Sequence, residues 1–207
     1  MPDKFDDAAA RAIGDAVREL ENRSAAELVV EVRARSGSYA HADGRFAAAL
    51  VLASLAGIVF MPWVVPPVTV LLDAIAFYAV GIVIARRSSA LRRLFTRQRE
   101  RLEAVRTHAA ALFHDRGIGN TTSETGVLLY VSLLERRMEV LADRGLLRRV
   151  NANDWNAALM ELHGDEAIGP EAVLGAIRAL GVVLERDLPA DDVNPDDLSN
   201  APEMQLA

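Results

Sequence analysis

The chain has no cysteine, and between Phe46 and Ala85 it carries one charge, Asp73, although a quarter of its 207 residues are charged. The first absence excludes disulfides, thiolate metal sites and a cysteine nucleophile. The second excludes an ordinary soluble helix, which rarely stays apolar beyond about 14 residues. A secretory leader is not expected either. Met1-Pro2-Asp3-Lys4-Phe5-Asp6-Asp7 puts acids where a secretory signal would put a basic stretch and a short apolar core, so no cleaved signal is expected. Met61-Pro62-Trp63-Val64-Val65-Pro66-Pro67 divides the apolar run into two pieces of roughly 18–20 residues. At about 1.5 Å of rise per residue, each piece crosses the ~30 Å apolar core of a bilayer. The expectation is a two-helix transmembrane hairpin over residues 46–85.

Lys and Arg are also absent from the turn between the two pieces. They gather outside it, as Arg33, Arg35 and Arg45 before the run and Arg86, Arg87, Arg92, Arg93, Arg97 and Arg99 after it. The positive-inside rule then places both ends of the hairpin, and both termini, in the cytoplasm of a cell with a multi-pass protein in its inner (cytoplasmic) membrane. The net charge of −6 conceals an asymmetry. Arg86 to Arg106 holds eight arginines against Glu100 and Glu103, whereas the tail from Glu185 is acidic. The basic block suits membrane lipids with anionic headgroups, at about 1 kcal/mol per arginine near the surface. No nucleic acid is expected as a partner, because no aromatic residues interleave with the arginines and no recognition motif accompanies them. Asp73 lies about six residues into the second span. There a carboxylate is either a functional group or one that snorkels to the far interface.

The remaining residues read as one domain. Phe5, Ala9, Ala12, Ile13, Ala16, Val17 and Leu20 mark a first amphipathic helix, with Asp3 as its expected cap. Glu27 to Ala34 reads as a strand with Leu28, Val30 and Val32 on one face and Glu27, Glu31 and Arg33 on the other. A helical period from Leu91 to Phe113 is expected as one helix, stopped by Gly117 and Gly119. Gly126 to Leu134 is an almost continuous apolar strand, as befits one covered on both faces. Met138 to Ala142 forms a hairpin with it. Two helices close the domain, one capped at Asn153 and ended at Gly164, the other opened by Gly169-Pro170-Glu171. The strands around Val30 and Leu129 are joined by a long crossover, so they are either parallel or far apart. A mixed sheet between helix layers follows.

Residues 113–146 carry a resemblance. Phe113-His114-Asp115-Arg116-Gly117-Ile118-Gly119, then Glu124-Thr125-Gly126-Val127-Leu128-Leu129, then Ala142-Asp143-Arg144-Gly145-Leu146 resemble the TPM domain. That fold is shared by a thylakoid lumen protein, its photosystem-repair relatives and a nematode receptor-accessory protein. Ser24 to Val30 resembles the entry to the family's first strand, and Trp155 the helix that follows. The fold class implied is α/β: a three-layer-like α/β/α TPM-type domain with a small mixed sheet, interrupted by the transmembrane hairpin. Its parts are residues 1–45 (first helix and strand), 46–85 (hairpin), 86–188 (remainder of the domain) and 189–207 (an acidic tail expected to be disordered).

The resemblance also implies weak acid phosphatase activity and divalent-metal binding through acidic residues near strand ends. Asp143 and Asp154 are the matching positions, and the cation would be calcium or magnesium. Asp3, Asp6 and Asp7 are loose counterparts of a further acid. The competing readings are that Asp143 makes a turn and that Asp154 stabilises a helix N-terminus. His41, His108, His114 and His163 fall in no metal-ligand spacing, Gly117-Ile118-Gly119 lacks the continuation of a phosphate loop, and no serine sits in a nucleophile elbow. No catalytic residue or cofactor is therefore assigned. The function expected is a non-enzymatic accessory or assembly protein with a protein partner at the membrane. The alternative is a membrane-bound, divalent-metal-dependent phosphatase.

Overall fold

The computed structural model describes residues 5–162, 168–190, 198 and 201–206. Asp3, His163, Gly164, Asp191, Asp192, Asp196 and Asp197 lie outside the described residues. The described helices are α1 (Asp7–Glu21), α2 (Ala40–Val59), α3 (Pro67–Arg87), α4 (Ser89–Phe95), α5 (Gln98–Asp115), α6 (Arg144–Arg149), α7 (Ala152–Glu161) and α8 (Pro170–Asp187). The strands are β1 (Glu27–Arg33), β2 (Gly126–Ser132), β3 (Arg137–Ala142) and β4 (Glu203–Gln205). They form two compact units, one made by the chain up to Ser36 and from Leu102 onward, the other by Gly37 to Arg101.

The first unit is built on a mixed four-stranded sheet in the order β3-β2-β1-β4. β1 and β2 are parallel, in register from Glu27 opposite Gly126 to Arg33 opposite Ser132. β2 and β3 are antiparallel, and β4 adds to β1 in parallel. On one face Leu28, Val30, Val32, Val127, Leu129 and Val131 share a core with the apolar stripes of α1, α7 and α8. On the other, Leu128 and Tyr130 pack with Val105, Ala109 and Leu112 of α5. Each fully buried Leu or Val side chain contributes about 1.5–3 kcal/mol, so the two helix layers hold the sheet from both sides. The α/β/α layering follows.

The second layer covers the charged side of β1. Its polar face is covered as well: Glu27 and Glu31 are 3% and 1% exposed. The reason is α5, which packs over that face, while Arg33 and Arg116, the residue after α5, pair with Glu31. Three local readings change. The expected single helix from Leu91 to Phe113 breaks between α4 and α5, where Thr96 is extended (ψ 132°). Asn151, not Asn153, caps α7, its side chain accepting from the N–H groups of Asn153 and Asp154. Asp6 caps α1 in the same way. The acidic tail, expected to lack structure, supplies β4, a strand too short to leave a pattern in the sequence.

In the second unit α2 and α3 are long and apolar enough to cross a membrane. They are not core helices: only 17% and 11% of their most apolar windows are buried. Among the described residues, fifteen of the twenty well-exposed large apolar side chains fall between Leu52 and Ile84, a concentration that a soluble monomer rarely shows. The two helices pack closely, since a Cβ on Gly81 would lie 2.7 Å from the Ala47 Cα.

The glycines of the 113–146 stretch are steric necessities. A Cβ on Gly126 would sit 1.9 Å from the Ile118 carbonyl oxygen, and one on Gly145 would sit 2.3 Å from the Glu124 Cβ. Gly126→Ala should therefore destabilise the domain by about 3 kcal/mol, as forced overpacking does. Gly175, in the middle of α8, faces open space; Gly175→Ala should stabilise by about 0.5–1 kcal/mol through helix propensity. Thermal melts followed by circular dichroism check both. Equal effects of the two substitutions would contradict the packing described.

Candidate functional site

The glycine corner shapes a cleft. Gly117, with φ 64°, turns the chain out of α5, its N–H donating to the His114 carbonyl at 3.0 Å. Ile118 then plugs the core, and Gly119 lies so close to the Phe113 ring that a side chain would collide with it. The cleft holds about 330 Å³ and is lined by Phe113, His114, Asn120, Asp143 and Arg144 with the corner glycines. Asp143 ends β3 and caps α6, one carboxylate oxygen accepting the Arg144 N–H. Its other oxygen, Oδ2, is buried with no hydrogen-bond partner. A buried, unmatched carboxylate oxygen is costly and calls for a donor or a cation.

Asp154 does not contribute to this cleft. It sits in the first turn of α7, and its Oδ2 is 2.7 Å from an Arg186 guanidinium nitrogen. Arg186 also hydrogen-bonds Asp187, which with the Asn151 N–H holds the Asp187 carboxyl down to about 2. The two acids singled out by the sequence are thus engaged separately, one as a cap and one in a surface ion pair. Among the described residues no group of three His, Asp or Glu side chains is placed to hold a metal ion.

A denser polar cluster lies where β1 and β2 end, the edge at which open α/β sheets commonly bind ligands. Sequence reasoning missed it. Buried Glu31 accepts from Arg33 Nε at 2.6 Å and lies 3.6 Å from an Arg116 nitrogen. Arg116 in turn makes a two-pronged hydrogen bond to Glu203. Burial raises the Glu31 carboxyl, with Arg33 and Arg116 opposing, whereas the Arg116 hydrogen bond holds that of Glu203 down. Beside it runs a hydroxyl relay. Ser36 Oγ donates to Ser132 Oγ at 2.7 Å and Ser132 Oγ donates to Glu135, so the 2.8 Å contact between Tyr130 and Ser36 leaves Tyr130 as donor. The Ser36 N–H reaches the other Glu135 oxygen at 2.9 Å. His108 stacks at 5.7 Å on Tyr130, and burial, assisted by Arg33, pushes its imidazole below the usual value. The signal available in the sequence was Ser132 closing an otherwise apolar strand, which is too common to read alone.

The second unit has its own buried pair. Arg92 of α4 donates through Nε and Nη2 to the two oxygens of Asp43 at 2.8 and 2.9 Å, tying α4 to the first turns of α2. Nearer the turn, Ser54 Oγ donates to Asp73, so the lone acid of the apolar run is hydrogen-bonded across the helix pair.

No protein-family model matches the chain, and no curated protein matches it. Among solved structures the chain is similar to the NMR structure of BA42 protein from the psychrophilic bacterium Bizionia argentinensis. The likeness has a TM-score of 0.57 at 15% identity and covers 99% of each chain. At that identity it bears on the fold alone.

His108 gives a pH test. Its folded value lies below the ordinary 6.5, so on acidification the unfolded chain takes up the proton first. The stabilisation it confers is full above pH 6.5 and is lost as pH falls toward the folded value. Melting curves between pH 7.5 and pH 5.5 should show wild type losing stability relative to His108→Gln. A constant difference between the two proteins would contradict the burial of this ring.

Proposed function

We propose that the chain is a membrane-anchored protein of the TPM-domain type. It acts as a non-enzymatic accessory or assembly factor at the cytoplasmic face of the cytoplasmic membrane. The observation that carries this reading is the exposed apolar surface of α2 and α3, concentrated between Leu52 and Ile84 and bounded by arginines. Under the positive-inside rule the basic ends stay in the cytoplasm and the turn with Trp63 reaches the far interface. The Asp43–Arg92 pair fixes α4 at the base of the hairpin, where Arg86, Arg87, Arg97 and Arg99 are exposed and meet anionic headgroups. Leu94, 76% exposed, suits insertion among the lipids beside them.

The accessory role is supported by the state of the polar groups in the α/β domain. Ser132 and Tyr130 are fully buried links in a hydrogen-bond chain, not accessible nucleophiles, and Asp154 is neutralised by Arg186. A second reading has one observation in its favour. The unmatched Asp143 Oδ2 is where a divalent cation would bind, and the phosphatase alternative would use it. Calcium takes about 6–8 oxygen ligands and magnesium six. The cleft offers Asp143 and the amide of Asn120, and Asp154 is committed elsewhere. Among the described residues these two oxygen donors fall short of either number.

Two measurements test the proposal. Alkaline phosphatase fused after Ala207 should be inactive and the same reporter inserted at Val65 active; the reverse pattern would overturn the orientation. Asp143→Asn and Asp154→Asn should each change stability by less than about 1 kcal/mol, because asparagine also caps helices and an exposed ion pair contributes little. The melting temperature should not rise with millimolar Ca²⁺ or Mg²⁺. A clear rise abolished by Asp143→Asn would establish the metal-dependent reading instead.

A further inference from the structure

The outer edge of β1 is closed from within the chain, by two different devices. Glu27 and Arg33 turn their backbone groups toward β2, as the hydrogen bonds from the Glu27 N–H to Thr125 and from the Leu133 N–H to Arg33 record. Leu28, Val30 and Val32 accordingly face the other way, as does the N–H of Ala34, whose carbonyl turns back to the Leu134 N–H. At the start of that edge a side chain stands in for a strand: Glu21 Oε1 accepts the Leu28 N–H at 2.9 Å. At its end β4 does so, pairing Glu31 with Glu203 through Arg33 with Gln205, and the Ala34 N–H donates to the Gln205 carbonyl at 2.9 Å.

A three-residue strand is held weakly by backbone bonds alone, since strands usually run to about 5–6 residues. β4 is held by its side chains. Arg116 grips both oxygens of Glu203, and Arg33 donates to the Gln205 side-chain oxygen. Both guanidiniums are positioned from beneath by buried Glu31, 2.6 Å from Arg33 and 3.6 Å from Arg116. The fork of Arg116 matches a carboxylate in geometry as well as charge. Met204 lies between, packed against the core. This is a recognition edge with specificity built in: a backbone ladder, two arginines oriented for an acid and an amide, and an apolar seat. We propose that the edge is a docking site for an extended acidic peptide of a protein partner, added to β1 as a parallel strand. Glu203–Gln205 of this chain occupies it as a tethered stand-in. Strand addition of this kind draws affinity from main-chain hydrogen bonds and specificity from the side-chain contacts.

The proposal gives the accessory role a partner chemistry and rests on that reading. Its test assumes no process and no membrane orientation, so it fails or succeeds separately from the reporter and cation experiments. A fluorescent peptide with the sequence of residues 200–207 is titrated into the full-length, detergent-solubilised protein and followed by anisotropy. In wild type the tethered segment competes at an effective concentration of up to about millimolar, so binding is weak. Glu203→Arg sets like charges against Arg116 and releases the segment. The peptide should then bind roughly tenfold tighter or more. Adding Arg116→Gln to Glu203→Arg removes the fork that reads the glutamate without setting a second carboxylate beside Glu31, and should return binding to the weak level. A peptide carrying Lys in place of the glutamate should not bind.

If β4 merely shields a sheet edge from aggregation, the released edge should take the glutamate and lysine peptides alike, and that result overturns the proposal. So does failure of Glu203→Arg, folded by circular dichroism, to bind the peptide at all. Should Glu203→Arg not fold, Glu203→Gln removes only the charge and must show the same order with a smaller gain. No gain there is equally fatal.

Discussion

Everything in the α/β unit depends on β1 and β2 being parallel. Parallel neighbours cannot be joined by a tight turn, so the chain from Ala34 to Thr125 must cross over before Gly126 can pair with Glu27. That crossover delivers α5 onto the second face of the sheet, which is why Glu27 and Glu31 are buried and why β2 is apolar on both sides. It also carries α2 and α3. Loop-closure entropy grows only by about 0.6 kcal/mol for each doubling of length. A long apolar insertion in the crossover therefore weakens the strand pairing little, and an anchor can be housed there without rebuilding the domain.

Covering the charged face of β1 creates an obligation. A carboxylate withdrawn from water is strongly penalised unless paired, and Glu31 is paired with Arg33 and Arg116, themselves bound to the last strand. Burial raises its carboxyl while that of Glu203, half in solvent, is held down. The charge inside the sheet and the strand at its edge are thus parts of one network. The strand β4 is fastened to the middle of the fold through Arg116, the residue that follows α5.

The features legible in the sequence are those set by local chemistry. The apolar run with its Pro-rich turn, the continuous β2, the Gly-rich corner and Pro170 at the start of α8 each carry their cause within a few residues. Asp154 lies in the first turn of a helix, as one of its two readings has it, whereas Asp143 caps a helix and does not make the turn its position suggested. Long-range pairings were not legible. Nothing near Asp154 announces Arg186, and nothing near Glu31 announces Arg116 or Glu203, because these partners meet only after the crossover closes. Alternation in β1 separates an apolar from a polar face, but the sequence does not show which helix is laid over the polar one. The break between α4 and α5 also escaped a period that runs through it, as backbone extension at Thr96 leaves the apolar spacing nearly intact.

The most direct test is to replace residues 46–85 with a flexible linker and measure cooperative thermal unfolding together with molecular mass in solution. The account predicts a soluble monomer that melts in a single transition, with the β1–β2 amides protected from exchange, because the strand pairing and both helix layers lie outside the replaced segment. An insoluble chain, or one with no cooperative transition, would show instead that the apolar helices belong to the core of the domain and are not an insertion within its crossover.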